Sequence, residues 1–379
     1  MKVLAVFGTR PEAIKLARVI HHLRAQPETF SVACCATGQH RELLQQVLDP
    51  FSIGVDYDLD IMSPGQTLFQ STARILQTLE PIIERSQPDL LLVQGDTTTT
   101  LCGAMAGFYA GIPVGHIEAG MRTYRMREPF PEEMNRVLVS RLATLHFAAT
   151  QRGAAALNAE GIEANVIVTG NTGIDTLLYI RNEIESGRLK SGLDLPLDPG
   201  RHLIVVTTHR RESFGEPMQR TCTALARIAR RKDVQIVFPV HPNPNVRNVV
   251  LDRLGKMPNV LLSEPLGYIE FVDLMRRSRL LLTDSGGVQE EAPSLGKPVL
   301  VLREQTERPE AVEAGTARLV GTDEGVIERE VSLLLDDAAE YDRRSRVHNP
   351  YGDGCAAGRV ASAIADVFAL NVFERKSVH

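Results

Sequence analysis

The 379-residue sequence contains no apolar run approaching the roughly 18–20 residues that a membrane span needs. It also has no surplus of positive charge. Lys and Arg number 42 against 47 Asp and Glu, a formal net of −5, so neither nucleic acid nor an anionic membrane is indicated. Taken alone, that sign also argues against a phosphate-rich ligand. Cysteine is sparse and unpatterned: Cys34, Cys35, Cys102, Cys222 and Cys355 form no CxxC pair, and their number is odd. This excludes a disulfide framework as the organising device and fits a reducing cytoplasm. The first strand-like run meets Gly8 and Arg10 too soon for a secretory signal, so a cytoplasmic location is expected. There is no HExxH and no Cys/His grouping, so nothing calls for a metal, and no cofactor is expected. GxGxxG and Walker A patterns are missing as well, which moves dinucleotide and P-loop chemistry down the order. Low-complexity segments and short-period repeats are also absent.

What is present is a rhythm. At roughly 100–200 residues per domain the length suggests two domains, and a 43% apolar fraction can fill both cores. Short apolar runs occur at 3–7, 32–36, 90–93, 114–117, 145–148 and 166–168. They resume at 203–206, 236–240, 260–262, 280–282, 299–302 and 319–320. Each leads through a polar or Gly turn into helical spacing. Continuous apolar strands alternating with helices mean parallel sheets covered on both faces. Six units in each half predict an α/β protein of two doubly wound, Rossmann-like domains. The expected boundaries are 1–172 for the first domain, 173–200 for a linker, 201–359 for the second and 360–379 for a last helix. The Pro/Gly cluster at 195–200 marks the linker. Val360, Ile364, Val367 and Phe368 share one face of that last helix.

Ligands of open α/β sheets gather outside the C-terminal strand ends, and with two sheets the cleft between them is the default site. The turns after the strands therefore deserve scrutiny. After the first comes Gly8-Thr9-Arg10-Pro11-Glu12-Ala13-Ile14-Lys15, with capping-box spacing from Thr9 to Glu12 and Pro11 in the first turn. Arg10 and Lys15 sit where a helix dipole favours anions. The third and fourth strands end in Asp96 and Glu118, and Glu132 and Glu133 follow Pro131. Asp96 could simply cap the helix that starts at the threonines. Glu118 has no such structural reading, and converging carboxylates suit acid–base chemistry. In the second half His209 and Arg210 follow a strand, and His241 follows the next. Thr283-Asp284-Ser285-Gly286-Gly287 is a strand-to-helix turn whose bare amides could approach phosphate. Glu291 lies one turn on, and Arg303, Arg308 and Glu310 follow the next strand.

Long stretches now resemble a known family. Residues 6–15, 95–100, 129–136, 209–212, 283–297, 306–310 and 349–354, in order, are similar to the bacterial non-hydrolysing UDP-N-acetylglucosamine 2-epimerases. The resemblance covers residue 1 to about 360. It implies a GT-B-like pair of Rossmann domains, a last helix returning to the first domain, and a homodimer. It also implies reversible interconversion of UDP-GlcNAc and UDP-ManNAc through a 2-acetamidoglucal intermediate, supplying cell-surface polysaccharide synthesis. Arg10, Lys15, His209, Ser285, Gly286, Gly287, Glu291 and Arg308 match positions that hold UDP in the family, and Phe271 matches one beside the uracil. Asp96, Glu118 and Glu132 match the acids assigned to catalysis, with His209 often added. Gln39, His40, Glu132, Arg210 and His241 match an activator site for a second UDP-GlcNAc. A GT-B glycosyltransferase, a hydrolysing epimerase releasing free sugar, and a non-catalytic nucleotide-sugar regulator are the rival readings. The first would need an acceptor site, which the sequence does not display. The regulator would be expected to lack one of the three acids, and all are present.

Overall fold

The structure is a computed structural model that describes residues 1–38, 41–61, 63 and 65–369. It resolves into two compact units, one comprising Met1–Thr176 and the chain from Gly352 onward, the other Leu177–Tyr351. The first unit holds β1 (Lys2–Phe7), β2 (Ser31–Ala36), β3 (Tyr57–Asp58), β4 (Leu90–Gln94), β5 (Val114–Ala119), β6 (Leu145–Ala148) and β7 (Val166–Val168). They form one sheet in the order β3-β2-β1-β4-β5-β6-β7, parallel throughout. The second unit holds β8 (His202–Thr207), β9 (Val234–Pro239), β10 (Val260–Ser263), β11 (Leu280–Thr283), β12 (Val299–Val301) and β13 (Ala317–Leu319). Their order is β10-β9-β8-β11-β12-β13, again all parallel. Both are doubly wound sheets with one reversal of winding, between β1 and β4 and between β8 and β11.

Helices fill the crossovers. In the first unit these are α1 (Arg10–Arg24), α2 (Arg41–Leu48), α3 (Leu68–Ser86), α4 (Thr98–Tyr109), α5 (Glu132–Leu142) and α6 (Gln151–Ala159), followed by α7 (Thr172–Glu185). In the second they are α8 (Glu216–Ile228), α9 (Pro244–Leu254), α10 (Tyr268–Arg277), α11 (Gly286–Glu291), α12 (Pro309–Ala314), α13 (Glu324–Asp336) and α14 (Ala338–Ser345). The last helix, α15 (Ala356–Ala369), packs against α1 in the first unit. The central strands are mostly apolar because helices cover both faces. Leu4, Ala5, Val6, Leu90, Leu91 and Leu92 are all buried, the expected burial of a parallel sheet.

Three local expectations need correction. The expected linker 173–200 is helical in its first part, where α7 runs from Thr172 to Glu185, because Ile174, Leu177 and Ile180 give it a buried face at helical spacing. The last helix begins at Ala356, four residues early, and Asp175 explains why. Its carboxylate accepts from the amides of Ala356 (3.2 Å) and Ala357 (2.8 Å), donors that a helix start leaves without partners. Finally, β3 was not expected, since two residues among acids carry no apolar run. Among the described residues, no helix is long and apolar enough to cross a membrane.

Two histidines sit side by side within the first sheet. His116 of β5 pairs with His146 of β6, and both are buried. Burial holds each down to about 4; at His116 the Gly95 carbonyl, 2.7 Å from Nε2, and the Glu118 charge oppose it without prevailing. An imidazole whose native pKa lies below its unfolded value stabilises the fold above the unfolded pKa and loses that contribution as the pH falls toward the native one. The unfolding free energy should therefore drop by about 2 kcal/mol per histidine between pH 7 and pH 5. Denaturant midpoints across that range check this. A His146→Asn variant should show a shallower slope, and an unchanged slope would contradict the assignment.

Candidate active site

At the reversal of the first sheet, the turns after β1 and β4 lie side by side. Thr9 caps α1 and Pro11 occupies its first turn. Arg10 opens the helix, and among the described residues its guanidinium has no ion pair. Lys15, one turn along, reaches the end of β5, where its Nζ lies 2.5 Å from Glu118 Oε1. Glu118 Oε2 accepts from the Gln94 side chain at the end of β4. The Glu118 backbone is left-handed (φ 68°), at a point where the β5–β6 register shifts. For a non-glycine residue that conformation costs roughly 1–2 kcal/mol. It turns the carboxylate to Lys15 and Gln94 instead of leaving it in the strand's alternation.

Asp96 follows Gly95, whose φ of 74° makes the bend. Its Oδ2 accepts from Arg136 Nε (2.8 Å), and Asn135 Nδ2 holds its backbone carbonyl (2.8 Å). Arg136 is itself buried and also binds Glu133. Burial raises the Asp96 carboxyl above the usual carboxylate value. The Arg136 charge pulls against this, Glu118 adds to it and Lys15 opposes it. Asp96 is not the helix cap; Thr97 is, accepting from the Thr100 amide. Glu132 stands in the first turn of α5, half-buried, with no side-chain hydrogen bond or ion pair to the described residues.

At the reversal of the second sheet, Asp284 after β11 is fully buried and faces the turn after β8. It accepts from the amides of His209 (3.0 Å) and Arg210 (3.0 Å) and from Ser213 Oγ (2.9 Å). Its other oxygen lies 3.0 Å from His209 Nδ1. Burial alone would raise this carboxyl, but the His209 contact and the amides outweigh it and hold it below the usual range. The result fixes the imidazole by Nδ1 and points to Nε2 as the nitrogen left for other partners. The His241 ring lies 6.5 Å from that of His209. Arg210 Nη1 pairs with Glu307 at 3.1 Å.

Arg308 is held by buried Glu290, and its guanidinium lies over Gly286, where a Cβ would stand 3.3 Å from Nη2. Ser285 precedes α11 and its amide donates to Thr283 Oγ1 (2.9 Å). Gly287 is exposed, Glu291 accepts from the Tyr268 hydroxyl (3.4 Å), and Phe271 sits half-buried on α10. Each unit thus gathers its own residues. Lys15, Glu118 and Asp96 meet in the first, with Arg10 on the neighbouring turn. His209, Arg210 and His241 meet in the second, as do Gly286 and Arg308. Gln39 and His40 lie outside the described residues. Sequence reasoning passed over the supporting set of Gln94, Arg136, Asp284, Glu290 and Glu307. Asp284 and Glu290 stood in the quoted turn, but only spacing in three dimensions shows what they hold. No cluster of three or more His, Cys, Asp or Glu among the described residues could bind a metal ion.

Two doubly wound parallel sheets with charged turns at their C-terminal ends define a GT-B-like α/β enzyme. The family model described as UDP-N-acetylglucosamine 2-epimerase matches residues 21–365. A UDP-N-acetylglucosamine 2-epimerase of Escherichia coli K12 is 54% identical over 370 residues, 96% of this chain and 98% of the relative. The crystal structure of a Neisseria meningitidis UDP-GlcNAc 2-epimerase bound to UDP-GlcNAc superposes with a TM-score of 0.89 at 45% identity, covering 97% of this chain and all of that one. A Methanocaldococcus jannaschii UDP-GlcNAc 2-epimerase, solved with UDP-GlcNAc and UDP, is 30% identical with a TM-score of 0.75, covering 97% of this chain and 100% of that one. The chain belongs to the UDP-N-acetylglucosamine 2-epimerase family, and it is an isomerase.

Removing the Asp284 carboxylate strands two buried-side amides and a hydroxyl. Asp284→Ala should cost about 3 kcal/mol of unfolding free energy. Asp284→Asn, which keeps an acceptor oxygen, should cost less. Denaturant titration measures both, and an Ala variant as stable as the wild type would contradict the arrangement.

Proposed function

We propose that the chain interconverts UDP-GlcNAc and UDP-ManNAc by expelling UDP and adding it back through 2-acetamidoglucal. The C2 proton of the hexosamine is not adjacent to a carbonyl, so direct removal is implausible. In elimination a base takes that proton, its bonding pair forms the C1–C2 double bond, and the C1–oxygen pair leaves with UDP. Re-addition reverses the step with the proton delivered to the opposite face. Two acid–base groups in different environments are needed. The observation that carries this reading is the pair formed by Glu118, in a left-handed backbone and ion-paired to Lys15, and Asp96, raised by burial beside Arg136. Glu132 assists them.

The leaving diphosphate needs cations and oriented donors that strengthen as charge develops. We assign that task to His209 Nε2, Arg10, Lys15, Arg308 and the Ser285-Gly286-Gly287 turn. Glu291 takes the ribose and Phe271 the uracil. A Neisseria relative solved with UDP-GlcNAc supports this choice of ligand. A second UDP-GlcNAc at Arg210 and His241, with Gln39 and His40, acts as activator; strictly hyperbolic kinetics count against it. The product feeds cell-surface polysaccharide synthesis, and loss of such polymer on deletion of the gene tests that role.

The protein works as a homodimer. Leu68 and Phe69 at the start of α3, Phe108 and Tyr109 at the end of α4, and Leu138 on α5 are exposed, and α4 packs against both α3 and α5. Apolar residues collected on neighbouring helices are suited to a second copy. A hydrodynamic mass of one chain at micromolar concentration argues against it.

Turnover in deuterated water, followed at C2 by NMR, tests the reaction. Deuterium at C2 with UDP-ManNAc appearing is the expected result. UDP plus free sugar would mean hydrolysis, and no change without an added acceptor would favour a transferase. Asp96→Asn and Glu118→Gln should still bind UDP while C2 exchange falls by roughly 10²–10⁴-fold. Normal turnover in both would sink the assignment of these two carboxylates.

A further inference from the structure

Glu12 spends its carboxylate on more than a helix cap. One oxygen, Oε2, accepts from the amides of Gly8 (3.1 Å) and Thr9 (2.7 Å), as a capping box requires. The other, Oε1, accepts from the Thr97 hydroxyl (2.8 Å), 85 residues away, and lies 3.2 Å from the Thr100 hydroxyl, which also donates to the Gln94 carbonyl at 2.6 Å. Those threonines belong to the turn after β4 that carries Asp96. Thr97 also accepts from the Thr100 amide (3.2 Å) and lies 3.1 Å from the Thr100 hydroxyl. Below this link the turns touch directly. Thr37 and Thr99 share a hydrogen bond of 2.9 Å, and a Cβ on Gly8 would stand 2.4 Å from both hydroxyl oxygens. Asn135 and Arg136 hold Asp96 from the other side.

We propose that Glu12 is a positioning residue for the epimerase reaction, setting the spacing between the turn that bears Arg10 and the turn that bears Asp96. The inference rests on the role given to Asp96 above. Two amides and the Thr97 hydroxyl converge on one side chain that must accept at one end and meet hydroxyls at the other. A glutamine of the same shape can keep its oxygen on the amides and turn its N–H groups to the hydroxyls, which accept as well as donate, whereas an alanine removes the link. Neither Glu12 nor Thr97 touches the reacting atoms in this scheme.

Steady-state kinetics on Glu12→Ala, Glu12→Gln, Thr97→Val and Thr97→Ser, with thermal unfolding of each, provide the test. Glu12→Ala should lose roughly 10²-fold in kcat, since misplacement of about 1 Å has that effect, and KM for UDP-GlcNAc should rise because Arg10 moves; Glu12→Gln restores most of both. Thr97→Val affects only the Asp96 side, so kcat falls with KM held, and Thr97→Ser restores most of it. A plain cap predicts a different pattern: lower melting temperatures with kcat and KM at wild-type values in Glu12→Ala and Thr97→Val, which would overturn the proposal. If Glu12→Ala fails to fold, the Val/Ser pair at Thr97 decides alone. A wild-type chain that turns over no UDP-GlcNAc overturns the underlying reading, which is a distinguishable failure.

Discussion

Each of the two sheets reverses its winding once, and at each reversal one buried carboxylate ties together the two turns that flank it. In the first sheet Glu12, in the first turn of α1 and bonded to the amides after β1, takes the Thr97 hydroxyl from the turn after β4. In the second, Asp284, from the turn after β11, takes amides from the turn after β8. Parallel strands end in turns that share no ladder hydrogen bonds, so their spacing must be set by something else. A buried carboxylate is costly unless every lone pair is used, and these two are well supplied with donors. That same saturation makes them rigid. Arg10 and Asp96 on one side, and His209 and the Ser285-Gly286-Gly287 turn on the other, inherit their positions from it.

The charges in these turns are largely compensated where they stand. Lys15 leans on Glu118, Arg308 on Glu290 and Arg210 on Glu307. Pairing holds each long side chain in one orientation before any ligand arrives, which is the condition for electrostatic preorganisation. It also explains why a chain of net charge −5 can belong to a family whose members handle a diphosphate. Part of the acidic surplus serves as counter-ions to the very cations that the average concealed.

Much of this was legible in the residues, for physical reasons. Strands buried on both faces are mostly apolar, so twelve of the thirteen strands carry a readable apolar run. The exception, β3, has two residues among aspartates and is defined only by its pairing with β2. The α7 helix is harder to read because its Ile174, Leu177 and Ile180 face leads straight into the charged and Pro/Gly-rich stretch up to 200. Glu12 could be read as a cap from its distance to Thr9. Its second oxygen could not, because its partner Thr97 is 85 residues away. The same holds for Asp284, whose donors lie 71 to 75 residues back along the chain. Asp96 offered two readings, cap or acid, and the Thr97 hydroxyl removed the first by taking the cap itself.

The central claim is that UDP leaves C1 before C2 is inverted. It can be tested with UDP-GlcNAc carrying ¹⁸O in the bridge between C1 and the β-phosphorus. If the bond breaks reversibly, the label spreads into the non-bridging β-phosphate oxygens while the chain turns over, and ³¹P NMR resolves the two positions. The account expects this scrambling to accompany C2 exchange. Inversion at C2 with the label retained in the bridge would contradict it.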